Sequence, residues 1–509
     1  MRVCLIQPPS GFLLDERVFV GLGLLKVASA LEAAGHQVRV LDLSGIENYL
    51  FALRQYLGAS DDEVFGLTST TPQLPAAVHI AREIRALRED ARLILGGPHV
   101  TLCYAARKLE RKRGIVDGRA ALACRELESR FDVLVAGDGE LAVLDAMSPT
   151  SSRVVDGDEP KGGYFLTDAQ FTSTPFPARH LVDMSSYHYS IEGREATSLI
   201  AQLGCPFSCG FCGGRNSKAL RQIRTRTVES IVAEVEHLYT QYGYTGYMFY
   251  DDELNVNRSM CELMRALQKE QEWHGVEFRL RGFVKAELFT DEQAAAMYAA
   301  GFRWLLCGFE AADPRILTNI RKRATLDDNT RAVEIAKRHN LKVKALMSVG
   351  HPGENPDSIL AVRDWLVRMG VDDFDCTVIT TYPGTPYYDE ALPGPSPGIY
   401  TYTQPQTGDK LYAHDVDYLT TADYYKGSPG EYRSFVFTDA LTSTELVSMR
   451  DALERDARRM LNIPFNSSRP AARYEASMGQ LPGFILKQSR RSVDASTRHR
   501  QDKVGEARD

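Results

Sequence analysis

The chain has 509 residues, 44% of them hydrophobic and 25% charged, with a formal net charge of −7. That length outgrows a single core, so two or three domains are expected, and the acidic balance offers no basic field for nucleic acid. "MRVCLIQPPSG" breaks off too early for a signal-peptide core, and no stretch approaches the apolar length of a membrane span, so the reading is a soluble cytoplasmic protein without nucleic-acid or membrane partners.

In chain order, residues 1–147 alternate short apolar runs ("VCLIQ", "QVRVLDL", "EVFGLT", "RLILGG", "FDVLVAG") with helical patterns, which predicts a doubly wound, parallel, flavodoxin- or Rossmann-like α/β domain. Such sheets bind ligands at the carboxyl ends of their strands. There stand "TSTT" (68–71), "GGPHVT" (96–101) and "GDGE" (137–140), expected to converge on one edge. Residues 104–130 look like a charged helical hairpin with a solvated face. Residues 148–197 read as a linker carrying a little strand.

A second alternating series fills 198–383 and predicts a curved, incompletely closed parallel barrel, a partial (β/α)6 barrel. The cysteine loop, "DDE", "GFE" and "GHPGEN" all fall at its strand ends. Residues 384–485, rich in Tyr, Pro, Gly and Thr, form a small α+β domain expected on the substrate side. The last stretch, 486–509, has almost no apolar content and is expected to be disordered.

Within "LGCPFSCGFCGG" (203–214), Cys205, Cys209 and Cys212 follow a C-x3-C-x2-C spacing. Three thiolates fall short of the four ligands of a structural zinc site, and no partner Cys or His pair follows at zinc-finger spacing. An iron–sulfur cube held by three cysteines leaves one iron free for another ligand. The other readings are a zinc site completed by a distant histidine such as His180 or His188, or three unrelated buried cysteines. Cys4, Cys103, Cys124, Cys261, Cys307 and Cys376 are scattered in mostly apolar contexts, as reduced thiols are.

The cysteine spacing at the end of a strand that opens a partial barrel, with Phe211 before the last cysteine, resembles the radical S-adenosylmethionine enzymes. The resemblance implies a 4Fe–4S cluster on Cys205, Cys209 and Cys212, whose free iron binds S-adenosylmethionine for reductive cleavage to a 5′-deoxyadenosyl radical. It also implies an external electron donor such as flavodoxin or ferredoxin. "FYDDELNVN" (249–257) resembles a family strand end, with Asp251, Asp252 and Asn257 in place and Leu254 where an aromatic is usual. Lys285 stands in for an arginine, and Glu310 is carried over without the Ser-Gly-Ser that usually follows it. Phe211, Asp251, Lys285 and Glu310 are the implied contacts to S-adenosylmethionine.

The amino-terminal domain resembles the cobalamin-binding domain of one branch of these enzymes. The implied cobalamin contacts are Ser69, Thr70, Gly96, Gly97, His99, Thr101, Gly137, Asp138, Gly139 and Glu140. The D-x-H-x-x-G motif that supplies a histidine to cobalt is absent from the sequence, and His99 reads as a hydrogen-bonding residue rather than a cobalt ligand.

Together these imply methyl transfer from S-adenosylmethionine, by way of methylcobalamin, to an unactivated or aromatic carbon of a small or carrier-bound metabolite, in the setting of antibiotic biosynthesis. Glu253 is a candidate base, its other reading being a solvated carboxylate. The tyrosine-rich region after 384 is expected to choose the substrate. A cyclase, oxidation or rearrangement with the same cofactors is the alternative; a cobalamin or iron–sulfur sensor is a further one. A methylthio-transferase is disfavoured because the three-cysteine amino-terminal domain of those enzymes is missing from the sequence.

Overall fold

The computed structural model describes residues 1–488 apart from 395, 425–431, 467–468, 470 and 475–483. The chain opens with β1 (Arg2–Gln7), β2 (Gln37–Asp42), β3 (Val64–Thr68), β4 (Arg92–Gly96), β5 (Val133–Gly137) and β6 (Val154–Gly157), parallel and ordered 2-1-3-4-5-6. Between them run α1 (Leu22–Ala33), α2 (Tyr49–Ala59), α3 (Leu74–Leu87), α4 (Pro98–Lys112), α5 (Arg119–Glu128) and α6 (Gly139–Ala146). Val3 and Leu5 of β1 join one core with α1, whereas Cys4 and Ile6 join another with α2 and α3. Alternate residues of a strand covered on both faces must divide in this way, and the result is the doubly wound domain the sequence predicts. The helical hairpin read in 104–130 is α4 and α5.

The segment read as a linker contributes β6 to this sheet, then α7 (Asp168–Ser173) and the short strand β7 (Ser190–Ile191), which turns back against β8 (Arg194–Leu199). Next, β9 (Gln202–Leu203) and β10 (Arg224–Thr225) pair antiparallel across the base of the cysteine loop. The second series then runs through α8 (Val228–Tyr242), β11 (Gly246–Phe249), α9 (Met260–His274), β12 (Arg279–Phe283), α10 (Asp291–Ala299) and β13 (Phe302–Glu310). It continues with α11 (Pro314–Ile320), α12 (Leu326–Arg338), β14 (Lys342–Val349), α13 (Pro356–Met369) and β15 (Asp373–Val378). Strands 8-11-12-13-14-15 are parallel neighbours, which makes the predicted open half-barrel of six strand–helix steps. Thr227, Thr290 and Thr325 start α8, α10 and α12 by accepting the third amide of each helix.

After α14 (Pro386–Asp389), the strands β16 (Leu392–Pro393), β17 (Ile399–Thr403), β18 (Lys410–His414) and β19 (Val436–Phe437) form a small antiparallel sheet. Helix α15 (Ser443–Leu461) packs on α13 and β15. The stretch from 486 departs from the expected disorder at its start: β20 (Leu486–Gln488) lies antiparallel on the edge strand β2, because that edge offers unpaired backbone groups. Residues 489–509 lie outside the described residues.

Candidate active site

The three cysteines sit half-buried and free of disulfides on the loop between β9 and β10. Backbone carbonyls of this loop are gathered by two arginines. Arg215 donates to Cys205 O (3.1 Å), Gly213 O (3.3 Å) and Phe207 O, and Arg221 donates to Pro206 O (2.8 Å) and Arg215 O (3.2 Å). Gly210 is pinned on both sides, its amide to Ile320 O (2.7 Å) and its carbonyl to the Tyr387 amide (3.0 Å). A Cβ there would run into the Tyr387 ring. Cys209 and Phe211 lean on Ala311, Ile316, Leu317 and Ile320.

Burial pushes all three thiols above their ordinary value, Cys212 up to about 12 against the pull of Arg215. Buried thiols of this kind ionise when a metal cation takes the charge, and a set of three soft donors fits a cluster with one free iron. Among the described residues, no three His, Cys, Asp or Glu side chains converge on a single-ion site. His180 pairs with Glu32 of α1 (3.0 Å), away from the cysteines.

Beside the loop, Phe211, Lys285 and Glu310 come together. Glu310 ends β13 at φ 67°, where the register with β14 shifts. That kink presents its carboxylate to Lys322 Nζ (2.9 Å) and to Ser348 Oγ (2.8 Å), and Ser348 Oγ in turn meets His351 Nε2 (2.9 Å). Burial opposes ionisation of Glu310, yet Lys322 and Ser348 outweigh it and hold the carboxyl below its ordinary value. His351 stacks edge-on to Phe211 (5.4 Å), and its buried Nδ1 has no partner. Lys285 is buried against Glu287 (2.9 Å) and the Phe207 ring (4.2 Å). Lys322, Ser348, His351 and Arg215 are site residues that the sequence reading missed.

Asp251 lies behind the loop. Its Oδ1 accepts the amides of Ala201 (2.8 Å) and Gln202, while Oδ2 and Gln202 Oε1 are buried without partners. It fixes where the loop leaves β8, Asp252 is exposed, and Asn257 Oδ1 accepts the Ser259 amide (2.9 Å). Glu253 keeps some contact with solvent at the site's interior. Burial pushes its carboxyl up to about 7, opposed by Lys322 and Lys285.

On the first domain, neighbouring β3, β4 and β5 do bring "TSTT", "GGPHVT" and "GDGE" to one edge. Thr70, Gly96, Gly97, Gly137, Gly139 and Glu140 keep solvent contact there, while Ser69, His99, Thr101 and Asp138 are buried beneath. Ser69 O accepts the His99 amide (3.0 Å) and Thr101 Oγ1 accepts the Gly137 amide (2.9 Å). Both ring nitrogens of His99 are engaged, Nδ1 with Thr71 Oγ1 (3.0 Å) and Nε2 with Cys103 Sγ (3.4 Å), and burial lowers its pKa to about 4. The ring is therefore neutral and committed to the domain's interior. Gly97, at φ 96°, has room for no side chain, since a Cβ would lie 2.6 Å from Thr68 Oγ1. This edge of small residues and open main chain fits a broad, flat ligand, and it faces the cysteine loop: a Cβ on Gly213 would lie 3.0 Å from Leu102 of α4.

The tyrosines after 384 are largely taken up in packing. Tyr387 and Tyr402 are buried 4.8 Å apart, Tyr418 and Tyr424 enter a core of the first domain, and Tyr412 stacks on Phe437.

The Radical SAM superfamily model matches residues 199–366, and the B12 binding domain model matches residues 17–128. An uncharacterised methyltransferase of Pyrococcus horikoshii is 26% identical over 77% of this chain and 83% of its own length. The anaerobic magnesium-protoporphyrin IX monomethyl ester cyclase of Cereibacter sphaeroides is 23% identical over 66% of this chain and 54% of its own. Among solved structures, the radical S-adenosylmethionine methyltransferase TsrM of Kitasatospora setae shares the fold, with TM-score 0.55 and 20% identity over 80% of this chain and 79% of that one. With a three-cysteine loop opening a half-barrel and a small-residue sheet edge facing it, the chain belongs to the cobalamin-dependent radical S-adenosylmethionine enzymes, whose cofactors are a 4Fe–4S cluster, S-adenosylmethionine and cobalamin.

Proposed function

We propose that this enzyme transfers a methyl group from S-adenosylmethionine to an unactivated or aromatic carbon of a small metabolite. The observation that carries the reading is the placement of the two sheets: the cysteine loop lies against the side of the β3–β4–β5 edge, with Gly213 next to Leu102 of α4. When bound, the cofactors supply a 5′-deoxyadenosyl radical and a transferable methyl group.

The chain's own residues divide the remaining work. Cys205, Cys209 and Cys212 hold the cluster, and Arg215 and Arg221 fix the loop that carries them. Phe211, Lys285 and Glu310 are the contacts proposed for S-adenosylmethionine, Glu310 offering an anionic acceptor to an amino or hydroxyl group. Asp251 positions the loop. Thr70, Gly96, Gly97, Gly137, Gly139 and Glu140 receive cobalamin, supported from beneath by Ser69, His99, Thr101 and Asp138. Glu253 serves as a base where the target carbon must lose a proton.

Exposed Pro206 and Ser208 on the outer face of the loop suit delivery of an electron from a flavodoxin or ferredoxin. The setting proposed is cytoplasmic, and a place in antibiotic biosynthesis rests on the sequence resemblance. A ring closure with the same cofactors is the second reading, favoured by the cyclase relative.

The test is anaerobic reconstitution followed by assay of iron, cobalt and label from methyl-labelled S-adenosylmethionine. The proposal expects about four irons, one cobalt and label in the product. Product without label turns the assignment to the cyclase reading, and Cys205→Ala, Cys209→Ala or Cys212→Ala each lose the cluster and all cleavage.

A further inference from the structure

Four aromatic rings meet where the two sheets face each other. Phe19, on the loop after β1, lies 4.7 Å from Tyr189 and 5.2 Å from Tyr250, and Tyr250 lies 6.1 Å from Phe283. Phe19 belongs to the first domain, Tyr189 to the segment that leads into β7, and Tyr250 and Phe283 to the barrel. Aromatic clusters are ordinarily core packing, but here Phe19 is 36% exposed and Tyr250 is 48% exposed, so their faces are left open together. Burial nevertheless raises the Tyr250 phenol above its ordinary value, so part of the side chain is shielded from solvent.

The barrel register places a charge beneath these rings. Met248 pairs with Arg281 and Phe249 with Gly282, so Tyr250 and Phe283 stand one pleat above Met248 and Arg281 on the same face. Among the described residues Arg281 has no ion pair, and its buried Nε has no hydrogen-bond partner. Tyr189, nine-tenths buried, is the neighbour of Arg281, which opposes the upward push of burial on its phenol both by its charge and by a side-chain hydrogen bond. Below, Trp304 stacks under Arg281 (5.8 Å) and donates to Glu192 (2.6 Å), which closes the floor. A guanidinium without a carboxylate partner under an open pair of rings asks for a ligand with an anionic acceptor group.

We infer that Phe19, Tyr189, Tyr250 and Phe283 form the substrate site, and that it takes a planar aromatic or conjugated ring bearing a carboxylate, the ring between Phe19 and Tyr250 and the carboxylate toward Arg281 and Tyr189 Oη. The inference rests on the proposed methyl transfer and narrows its substrate class. It places substrate choice on the amino-terminal loop and the barrel instead of on the tyrosine-rich region after 384.

The test uses anaerobically reconstituted full-length protein with cluster and cobalamin, titrated by equilibrium dialysis with quinoline-2-carboxylate, neutral quinoline and cyclohexanecarboxylate. Quinoline-2-carboxylate should bind about tenfold or more tightly than cyclohexanecarboxylate, and Phe19→Ala and Tyr250→Ala should each weaken it by about tenfold. Tyr250→Phe should stay close to the parent, and Arg281→Gln should erase the preference for quinoline-2-carboxylate over quinoline. If Tyr250→Ala loses its iron, Phe19→Ala and Arg281→Gln decide the matter. Equal binding of flat and saturated acids, or alanine variants that bind as the parent does, overturns the inference. Label transfer fails separately: ring binding in this pattern without methyl transfer sinks the proposed function and leaves the ring site, whereas methyl transfer without ring preference does the reverse.

Discussion

At Glu253 two opposing effects meet. Burial drives its carboxyl up to about 7, and Lys322 and Lys285 hold it from rising further while Asp252 and Glu287 push the other way. Below that pH the group keeps its proton; above it, the carboxylate accepts one. If Glu253 is the base, turnover rises with pH through about 7, and Glu253→Gln removes that limb and lowers kcat on the alkaline side by about 10²–10⁴. A pH–rate profile of Glu253→Gln that superimposes on the parent's ends the assignment. How the surrounding residues were read from sequence follows from distance along the chain. Cys205, Cys209 and Cys212 lie within one short loop, so their spacing stands out in the sequence, and Phe211 follows from the resemblance that this spacing carries. Lys322, by contrast, stands in "NIRKRAT", where it resembles any surface cation, and becomes a partner of Glu310 only once α11 folds back. His351 and Ser348 join the same site through the sharp turn after β14, which sequence does not show to face Phe211.

At the scale of elements, the joint between α8 and β8 decides where the cysteine loop begins. Glu234, on the buried face of α8, accepts from Arg179 (2.7 Å) and from Arg226. Those arginines also donate to Ser198 O (2.7 Å) and Ile200 O (3.1 Å), at the carboxyl end of β8. Glu234→Gln leaves two guanidinium groups buried without their counter-charge, and the expected loss is about 3–5 kcal/mol in denaturant unfolding. The pH dependence has a definite sign. Burial opposes ionisation of Glu234, but the two arginines win and hold its pKa below the ordinary value, so its stabilisation is present above the ordinary carboxylate range and is lost as pH falls through the depressed folded value. Glu234→Gln should therefore flatten the acid limb of the stability curve; an acid limb as steep as the parent's would show that the triad carries no charge energy. The alternation of apolar runs and helical patterns made both parallel sheets legible, because such strands must be apolar on both faces. The strands β6 and β20 are harder to read from that alternation: each is short and pairs at a sheet edge, with only one or two apolar side chains turned to the cores.

For the whole molecule, the cysteine loop is anchored by the first domain as well as by the barrel. Asp158, just past β6, accepts from Ser217 Oγ (2.5 Å) and the Ala219 amide (2.8 Å), and lies 3.1 Å from Lys108 Nζ of α4. Asp138, at the end of β5, pairs with Arg224 of β10 and accepts the Leu166 amide (2.7 Å). Both carboxylates therefore hold the return arm of the loop, from Ser217 to Arg224, against the sheet edge proposed for cobalamin. A second contact lies farther off: Arg119 of α5 is sandwiched between Tyr388 (3.7 Å) and Tyr400 (3.5 Å). If the arm is the joint through which the two cofactor sites share their geometry, Asp158→Ala loosens both. The buried Ser217 and Ala219 donors then lose their acceptor, at a cost of about 1–3 kcal/mol for each unsatisfied group. Iron release to a chelator should accelerate by at least about tenfold, one decade for each 1.4 kcal/mol of that cost, and cobalamin should wash out faster on gel filtration. Arg119→Ala, which loosens the domain contact away from the loop, should leave iron release unchanged. Equal iron release in Asp158→Ala and the parent would locate the restraint on the loop in Arg215, Arg221 and its barrel contacts, and the two sites would then be coupled only by their proximity.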